Sequence, residues 1–395
     1  MLYRQLGKTG FEVSILGFGA MRLPVVGGNK TPMDGFDPRS VIDEEKTKSM
    51  IDYAVRHGIN YFDTAYPYHT GKSEPVLGKY IKPYRDRVYL VTKLLPRFVE
   101  TEADYDRLLD EQLKKLDTPY LDIYLVHGVN RPAWDKLKTL NITSFLDRIQ
   151  KDGRARKVGF SFHDDVMLFK EVVDYYDWAV CQIQYNYYDE NHQAGKTGLF
   201  YAASRGIGVV IMEPVRGGQL AEPIPAKVKT LWDTATVKRS AAAWALRWVW
   251  NHPEVSVVLS GMSNMDQLVE NIRIADDGRA NSLSDDELAL INKVKNVYRE
   301  AVRVNCTGCA YCMPCENGVA IPGIFSMYND QYIFDDSNLA SIRYSLMLSP
   351  NQQATSCTQC GKCEEKCPQH IEIRKELERA HASLYHPERV PTALR

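Results

Sequence analysis

Eight of the nine cysteines in this 395-residue chain fall in two short runs near its C-terminal end. The first run, CTGCAYCMPC, places Cys306, Cys309, Cys312 and Cys315 at three successive Cys-x-x-Cys steps. The second, CTQCGKCEEKCPQ, places Cys357, Cys360, Cys363 and Cys367, with Pro368 directly after the last. Three thiolates two residues apart can grip three corners of one iron–sulfur cubane, and a fourth cysteine followed by proline reaches a different cluster. The spacing therefore predicts two [4Fe–4S] clusters with exchanged fourth ligands. Cys306, Cys309 and Cys312 would share one with Cys367, and Cys357, Cys360 and Cys363 the other with Cys315.

Zinc is the second chemistry open to such thiols. It takes four ligands tetrahedrally, usually as two Cys-x-x-Cys pairs across a longer spacer, which three closely repeated steps fit poorly. The first run is the weaker of the two: its last step is one residue short and Glu316 stands where the proline would be. One cluster instead of two stays open on that ground. Disulfides would need an oxidising compartment, of which the sequence gives no sign. Cys181 stands apart in an apolar stretch and reads as a small buried hydrophobe.

The rest of the chain must supply whatever these thiols serve. Its length suits one large domain and a smaller one. A formal net charge of −1 gives no field that would draw it to nucleic acid or anionic lipid. MLYRQLGKTG lacks the apolar core of a signal peptide. The most apolar helical stretch, SAAAWALRWVW, carries Arg247 and is far too short for a membrane span. The expected setting is the cytoplasm.

Ahead of the cysteines, eight β-rich runs alternate with amphipathic stretches: 13–19, 59–65, 87–93, 121–127, 157–162, 179–185, 208–214 and 255–261. Their β-branched and aromatic character is that of strands buried on both faces. Helices are expected at 44–58, 101–116, 164–176, 191–205 and 236–251. Asp43 would cap the first and Gly58 end it in a left-handed conformation. Eight β–α units in about 280 residues predict an α/β fold, a (β/α)8 TIM barrel. A doubly wound nucleotide-binding sheet should show Gly-x-Gly-x-x-Gly after its first strand. Gly17 and Gly19 are followed by Arg22 at the third position, so that fingerprint fails. Ser284 and Glu287 form a capping box for a helix leading into the cysteine region. The boundaries are set at 1–300 for the barrel and 301–395 for an α-helical cluster-binding domain, with helices expected between the cysteine runs at 316–356.

Catalytic residues of such barrels project from the C-terminal ends of the strands. There the second strand gives Asp63 and then Tyr66 and Tyr68, the third Lys93 and the fourth His127. Such a set suits acid catalysis of carbonyl reduction. A free phenol, with a pKa near ~10, gives up its proton poorly at neutral pH. A nearby ammonium stabilises the phenolate, a carboxylate holds that ammonium, and a neutral imidazole can orient a carbonyl oxygen.

On these motifs residues 1–300 resemble the aldo/keto reductase family. The resemblance rests on YRQLGKTGFEVSILGFGAMRLP, FDTAYPY, VTK, YLVH, GRARKVGFSFH, CQIQYN, EPVRGG and SGMSNMDQLVENI, in order and spacing. The resemblance implies a tetrad of Asp63, Tyr68, Lys93 and His127 with Tyr68 as proton donor, leaving Tyr66 to the pocket wall. It also implies NADP(H) or NAD(H) across the same rim, with Ser161 and Gln182 at the carboxamide. Backbone at Gly19, Ala20 and Met21 would pass near the cofactor, and 261–271, with Gly261, Gln267 and Asn271, would meet its adenosine phosphate end. Three departures stand out. Phe162 replaces the asparagine of a frequent Ser-Asn pair, Met212 replaces a tyrosine that stacks on the nicotinamide, and Gly261 and Gln267 replace the lysine and arginine that clamp a 2′-phosphate.

A hydride carries two electrons and a [4Fe–4S] cluster passes one, so direct exchange needs an intermediary such as flavin. No flavin motif is visible, although the phosphate site after strands seven and eight leaves room for one. The expectation is an NAD(P)H-dependent oxidoreductase of a small carbonyl substrate, with structural or regulatory clusters. The alternatives are a ferredoxin-linked electron-transfer protein served by a redox partner, and a partner-binding iron–sulfur protein with a vestigial barrel site.

Overall fold

Eight short runs of β-branched and aromatic residues become eight parallel strands that close on themselves. The computed structural model describes residues 1–29, 40–222, 224–306, 312–367 and 369–389. Cys309 and Pro368 lie outside the described residues. In chain order the strands are β1 Tyr3–Gln5, β2 Glu12–Ser14, β3 Leu16–Gly19, β4 Tyr61–Asp63, β5 Tyr89–Leu94, β6 Leu121–Val129, β7 Ala155–Phe162, β8 Val180–Gln184, β9 Gly208–Met212 and β10 Val255–Ser260. Strands β3 to β10 form the barrel, each paired with the next, and β10 pairs with β3 to close it. Each of the eight expected runs overlaps one of the barrel strands.

The first run differs from expectation. Residues 13–19 are not one strand: Glu12–Ser14 pairs antiparallel with Tyr3–Gln5, and the barrel strand begins only at Leu16. The guanidinium of Arg4 in β1 explains how this hairpin is held. It donates to the carbonyls of Trp250 (2.6 Å), Val255 (2.7 Å), His252 (3.0 Å) and Gly278 (3.2 Å), tying the hairpin to the start of β10.

Inside the barrel, Leu6, Val13, Tyr61, Val91, Ile123, Leu125, Val180, Val210, Val257 and Leu259 pack together. Gly17 is required by this layer, because a Cβ there would lie 2.7 Å from Leu259 Cδ2 and 2.9 Å from Val257 Cγ1. That glycine serves packing, consistent with the failed dinucleotide fingerprint. The helices follow the apolar stripes. Glu44–Arg56 is capped by Asp43, whose carboxylate accepts from Lys46 N at 3.1 Å, and ends before Gly58 at φ 92°. Cys181 is fully buried, as are Trp244 and Trp250, and Trp248 is 6% exposed, so these side chains belong to the packing.

The chain separates into two units. One comprises Met1–Ala221 with Arg239–Ser284 and contains the whole barrel; the other comprises Glu222–Lys238 with Asp285–Arg395. In the second, helices Ile321–Ile333, Ser337–Met347 and Ile373–Leu384 surround a core of Val304, Val319, Ile324, Phe325, Tyr344 and Leu377. Helix Ala226–Asp233 packs on Asp285–Glu300 in the same unit. Helices do occupy the stretch between the cysteine runs. No helix among the described residues is long and apolar enough to cross a membrane.

Candidate active site and cysteine pocket

Parallel register brings the strand-end residues together. Asp63 closes β4 and pairs with Val91 of β5, while Lys93 pairs with Leu125 of β6, two residues before His127. Tyr68 opens a short 3-10 turn, Tyr68–Gly71, after β4, and the turn tightens through left-handed backbone at His69 (φ 50°) and Thr70 (φ 53°). The ammonium of Lys93 is fully buried and spends its donors on three oxygens: Asp63 Oδ1 at 2.6 Å, the Thr64 carbonyl at 2.8 Å and Tyr68 Oη at 3.5 Å. Gln182 Nε2 donates to the other Asp63 oxygen at 3.1 Å. All four expected tetrad residues therefore meet on one rim, with Gln182 behind them.

The electrostatics follow from burial and this pairing. Desolvation works against the charged form of Lys93, but Asp63 and Tyr68 outweigh it and hold the ammonium above its ordinary pKa. Burial pushes the Asp63 carboxyl upward against the pull of Lys93 and Gln182. A buried pair of this kind is costly to break, because the survivor is left as an uncompensated charge. Lys93→Met should lower folding stability by about 3–5 kcal/mol. Asp63→Asn/Lys93→Met together should recover much of that loss in denaturant unfolding; a double variant no more stable than Lys93→Met would show that the pair is not the cause.

Tyr68 differs from the simple expectation. Lys93 draws its pKa down as anticipated, but desolvation by burial is larger, and the phenol stands above its ordinary value. It is thus held firmly as the proton-bearing form. His127 lies edge-on to it, with ring centroids 5.9 Å apart at 85°. Burial, then the neighbouring Lys93, His163 and Arg97 charges, hold the His127 imidazole well below its usual range. Its Nδ1 is buried without a hydrogen-bond partner among the described residues.

The residues anticipated for a nicotinamide spread along the same strand ends. Ser161, near the end of β7, accepts from Gly128 N at 2.8 Å, and Met212 closes β9 half-buried. Gly19 closes β3, and Met21 lies in the 3-10 turn Ala20–Arg22 that follows it. Gly261 follows β10, where a Cβ would come 3.3 Å from Arg22 Cδ, and Arg22 itself donates to the Gly217 carbonyl at 2.9 Å. Gln267 is committed locally, its Oε1 accepting from Ser263 N at 2.8 Å at the start of helix Met265–Ala275. Asn271 donates to Ser260 Oγ at 3.0 Å, fixing that helix to β10.

Sequence reasoning passed over Glu213. It follows β9 in left-handed backbone (φ 54°), and its charge reaches both Tyr68 and His163. A carboxylate next to Met212 was a readable signal. It passed over Glu74 and Gln112 as well, which lie fully buried behind Lys93.

In the other unit, Cys306, Cys312, Cys315, Cys357, Cys363 and Cys367 pack against the helical core, while Cys360 is exposed. Cys312, Cys315, Cys357, Cys360 and Cys363 line one pocket that opens to solvent. The two runs are tied across it by Lys362 Nζ on both Glu316 oxygens (2.7 and 2.8 Å) and by Asn317 on Thr358 (2.9 Å). Among the described residues no three ligand side chains converge on a point that would hold a single ion. A cubane asks instead for sulfurs set around it, one to each iron. Burial, then the adjacent Glu364, Cys357 and Cys360 charges, raises the Cys363 thiol. The donor set fits such a cluster.

A family model described as "Aldo/keto reductase family" matches residues 16–296. The chain belongs to the aldo/keto reductase family. A second model, "4Fe-4S dicluster domain", matches residues 305–372, so the protein joins an aldo/keto reductase barrel to a 4Fe–4S domain. Among curated proteins it is similar to L-galactose dehydrogenase of Arabidopsis thaliana, at 28% identity over 74% of this chain and 95% of the relative. It is also similar to protein tas of Escherichia coli, at 25% identity over 75% and 99%. Among solved structures it resembles the holo form of aldo-keto reductase AKR11C1 from Bacillus halodurans, at 26% identity and a TM-score of 0.62, over 74% of this chain and 96% of that one. Each of these matches covers about three quarters of this chain. The protein is an oxidoreductase of this family.

Proposed function

We propose that the barrel reduces an aldehyde or ketone to the alcohol at the expense of NADH or NADPH, with Tyr68 as proton donor. The observation that carries this reading is the fully buried Lys93 ammonium, shared among Asp63, Thr64 and Tyr68. When bound, the nicotinamide supplies the hydride. Tyr68 gives its proton to the carbonyl oxygen, and the adjacent Lys93 charge stabilises the phenolate that remains until solvent returns a proton. His127, held neutral, orients the carbonyl oxygen, and its unpartnered buried Nδ1 supports a place for a polar ligand atom. Ser161 and Gln182 would hold the carboxamide. Gly19, Met21 and Met212 would flank the cofactor, with Gly261, Gln267 and Asn271 toward its adenosine end. Neither Gly261 nor Gln267 offers a cation to a 2′-phosphate, which supports use of NADH beside NADPH.

The pH dependence follows. Tyr68 donates only while protonated, and its raised pKa keeps it protonated through neutrality. His127, with its depressed pKa, stays neutral over the same range. The rate of reduction should be flat from about pH 6 to 8 and fall only at alkaline pH, where the phenol ionises. A limb near pH 6.5, the ordinary imidazole range, would contradict the assignment of His127.

The cysteine domain is read as holding two [4Fe–4S] clusters, with Cys306, Cys309, Cys312 and Cys367 on one and Cys357, Cys360, Cys363 and Cys315 on the other. The last four line a single pocket together with Cys312 of the first set, and their gathering there supports the second set. Such clusters supply one-electron transfer. Their role here is structural or regulatory, because reduction of a carbonyl by a nicotinamide needs no single-electron step. The functional division is placed at 1–300 and 301–395, supported by the gap between the matched segments, and the cytoplasm, where thiols are kept reduced, suits such clusters. The test is carbonyl-dependent nicotinamide oxidation after the clusters have been removed. Retained activity supports this division of labour. Turnover only from reduced ferredoxin would favour the electron-transfer alternative.

A further inference from the structure

The buried polar groups behind Lys93 are arranged around its backbone. Glu74, in the first turn of helix Ser73–Ile81, is fully buried. Its Oε1 accepts from Thr92 Oγ1 at 2.7 Å and from Gln112 Nε2 at 2.6 Å. Gln112 Nε2 also donates to the carbonyl of Lys93 itself at 3.0 Å, and its Oε1 accepts from Tyr124 Oη at 2.7 Å. The residue before Glu74 completes the arrangement: Ser73 Oγ lies 2.9 Å from Thr64 Oγ1, on the residue whose carbonyl receives the Lys93 ammonium. One helix turn thus grips both ends of the lysine, its main chain through Gln112 and its ammonium through Thr64.

Apolar side chains would satisfy this space without the desolvation cost of a carboxylate and an amide, so the polar set calls for an explanation. Burial raises the Glu74 carboxyl against its hydrogen bonds from Thr92 and Gln112 and the pull of Lys115, whose ammonium is 4.0 Å from Oε2. Glu111 is the other charge near it, bound to Lys115 at 2.7 Å.

We propose that Glu74 and Gln112 are positioning residues that fix the Lys93 main chain, so that its ammonium stays within reach of Tyr68 Oη. They touch neither Tyr68 nor any reacting atom and act only through Lys93. The inference builds on the reading of Tyr68 as proton donor but is testable without turnover. The test is the titration of Tyr68 in ligand-free full-length protein carrying 13Cζ-tyrosine, its resonance assigned by loss in Tyr68→Phe. The charged groups facing Tyr68 are Lys93, Asp63 and Glu213, with the neutral His127 ring beside it; none of these residues is substituted in any variant, so only the placement of Lys93 is altered.

Gln112→Met keeps the volume but removes the bond to the Lys93 carbonyl. It should move the Tyr68 titration upward by at least ~0.5 unit, as the ammonium drifts from the phenol. Glu74→Leu should do the same, whereas Glu74→Gln, which keeps an acceptor for Thr92 and Gln112, should follow the wild-type curve. If Glu74→Leu fails to fold, Gln112→Met and Glu74→Gln decide the matter. A curve in Gln112→Met that is unchanged or moves downward overturns the proposal, whatever the melting temperature does. Absence of carbonyl reduction by the wild type would overturn the proposed activity and leave this titration standing.

Discussion

Tyr68→Phe should lower kcat for carbonyl reduction by about 10²–10⁴, the usual scale for loss of a positioned general acid. Binding of the nicotinamide should stay near its wild-type strength, because the residues assigned to it lie on other strand ends. The ring is kept, so its edge contact with His127 at 5.9 Å need not change, and Lys93 retains Asp63 and Thr64 as partners. The loss would then fall on proton delivery. Steady-state kinetics with a fluorescence titration of the cofactor would separate the two. A variant within threefold of wild type would remove Tyr68 from the mechanism.

The second large effect concerns iron. Protein purified without oxygen should contain about eight irons and eight sulfides per chain, since each cubane holds four. Cys360→Ala removes one thiolate from the second run and should reduce the count to about four by loss of that cluster. The pocket that Cys360 lines also holds Cys312, Cys315, Cys357 and Cys363; with Cys312 assigned to the other cluster, the remaining three would lack the fourth corner. Carbonyl reduction by this variant should persist. Four irons in the wild type would mean one cluster, and zinc in place of iron would retire the iron–sulfur reading altogether. A flavin band in the spectrum of the same sample would add a cofactor to the barrel and bring the electron-transfer alternative forward.

Why the barrel could be read from sequence is physical. Strands buried on both faces read as near-continuous apolar runs rich in β-branched residues, and VSVVLS at β10 or GVVIM at β9 leaves little else to be made. The hairpin under the barrel could not be read so. Val13, Ser14, Ile15 and Leu16 follow one another with no turn residue between them, and the change of partner at Ile15 is set by Arg4 reaching carbonyls some 250 positions away. The association of Glu222–Lys238 with the cysteine unit is equally a matter of tertiary packing, and no break in composition marks it.

The tetrad was legible because three consecutive strand ends each carried a reactive side chain. The groups behind it were not, since Glu74 and Gln112 sit on helices and meet Lys93 only in the folded barrel. One sign was present. Gln112 interrupts the buried stripe of Tyr105, Leu108, Leu109 and Leu113 on helix Ala103–Lys115, and a polar residue inside an apolar stripe needs a partner. The balance at Tyr68 was also beyond the sequence. The ammonium was foreseeable, but the larger opposing effect of burial depends on how deeply the fold encloses the phenol.

The most direct test of the account is a stopped-flow mixing of anaerobically purified protein with reduced nicotinamide and a panel of aldehydes and ketones. The account predicts that nicotinamide absorbance falls only when a carbonyl is present, with one alcohol formed per nicotinamide oxidised, both before and after cluster removal. Nicotinamide oxidation that needs no carbonyl, or carbonyl turnover driven only by dithionite or reduced ferredoxin, would contradict it.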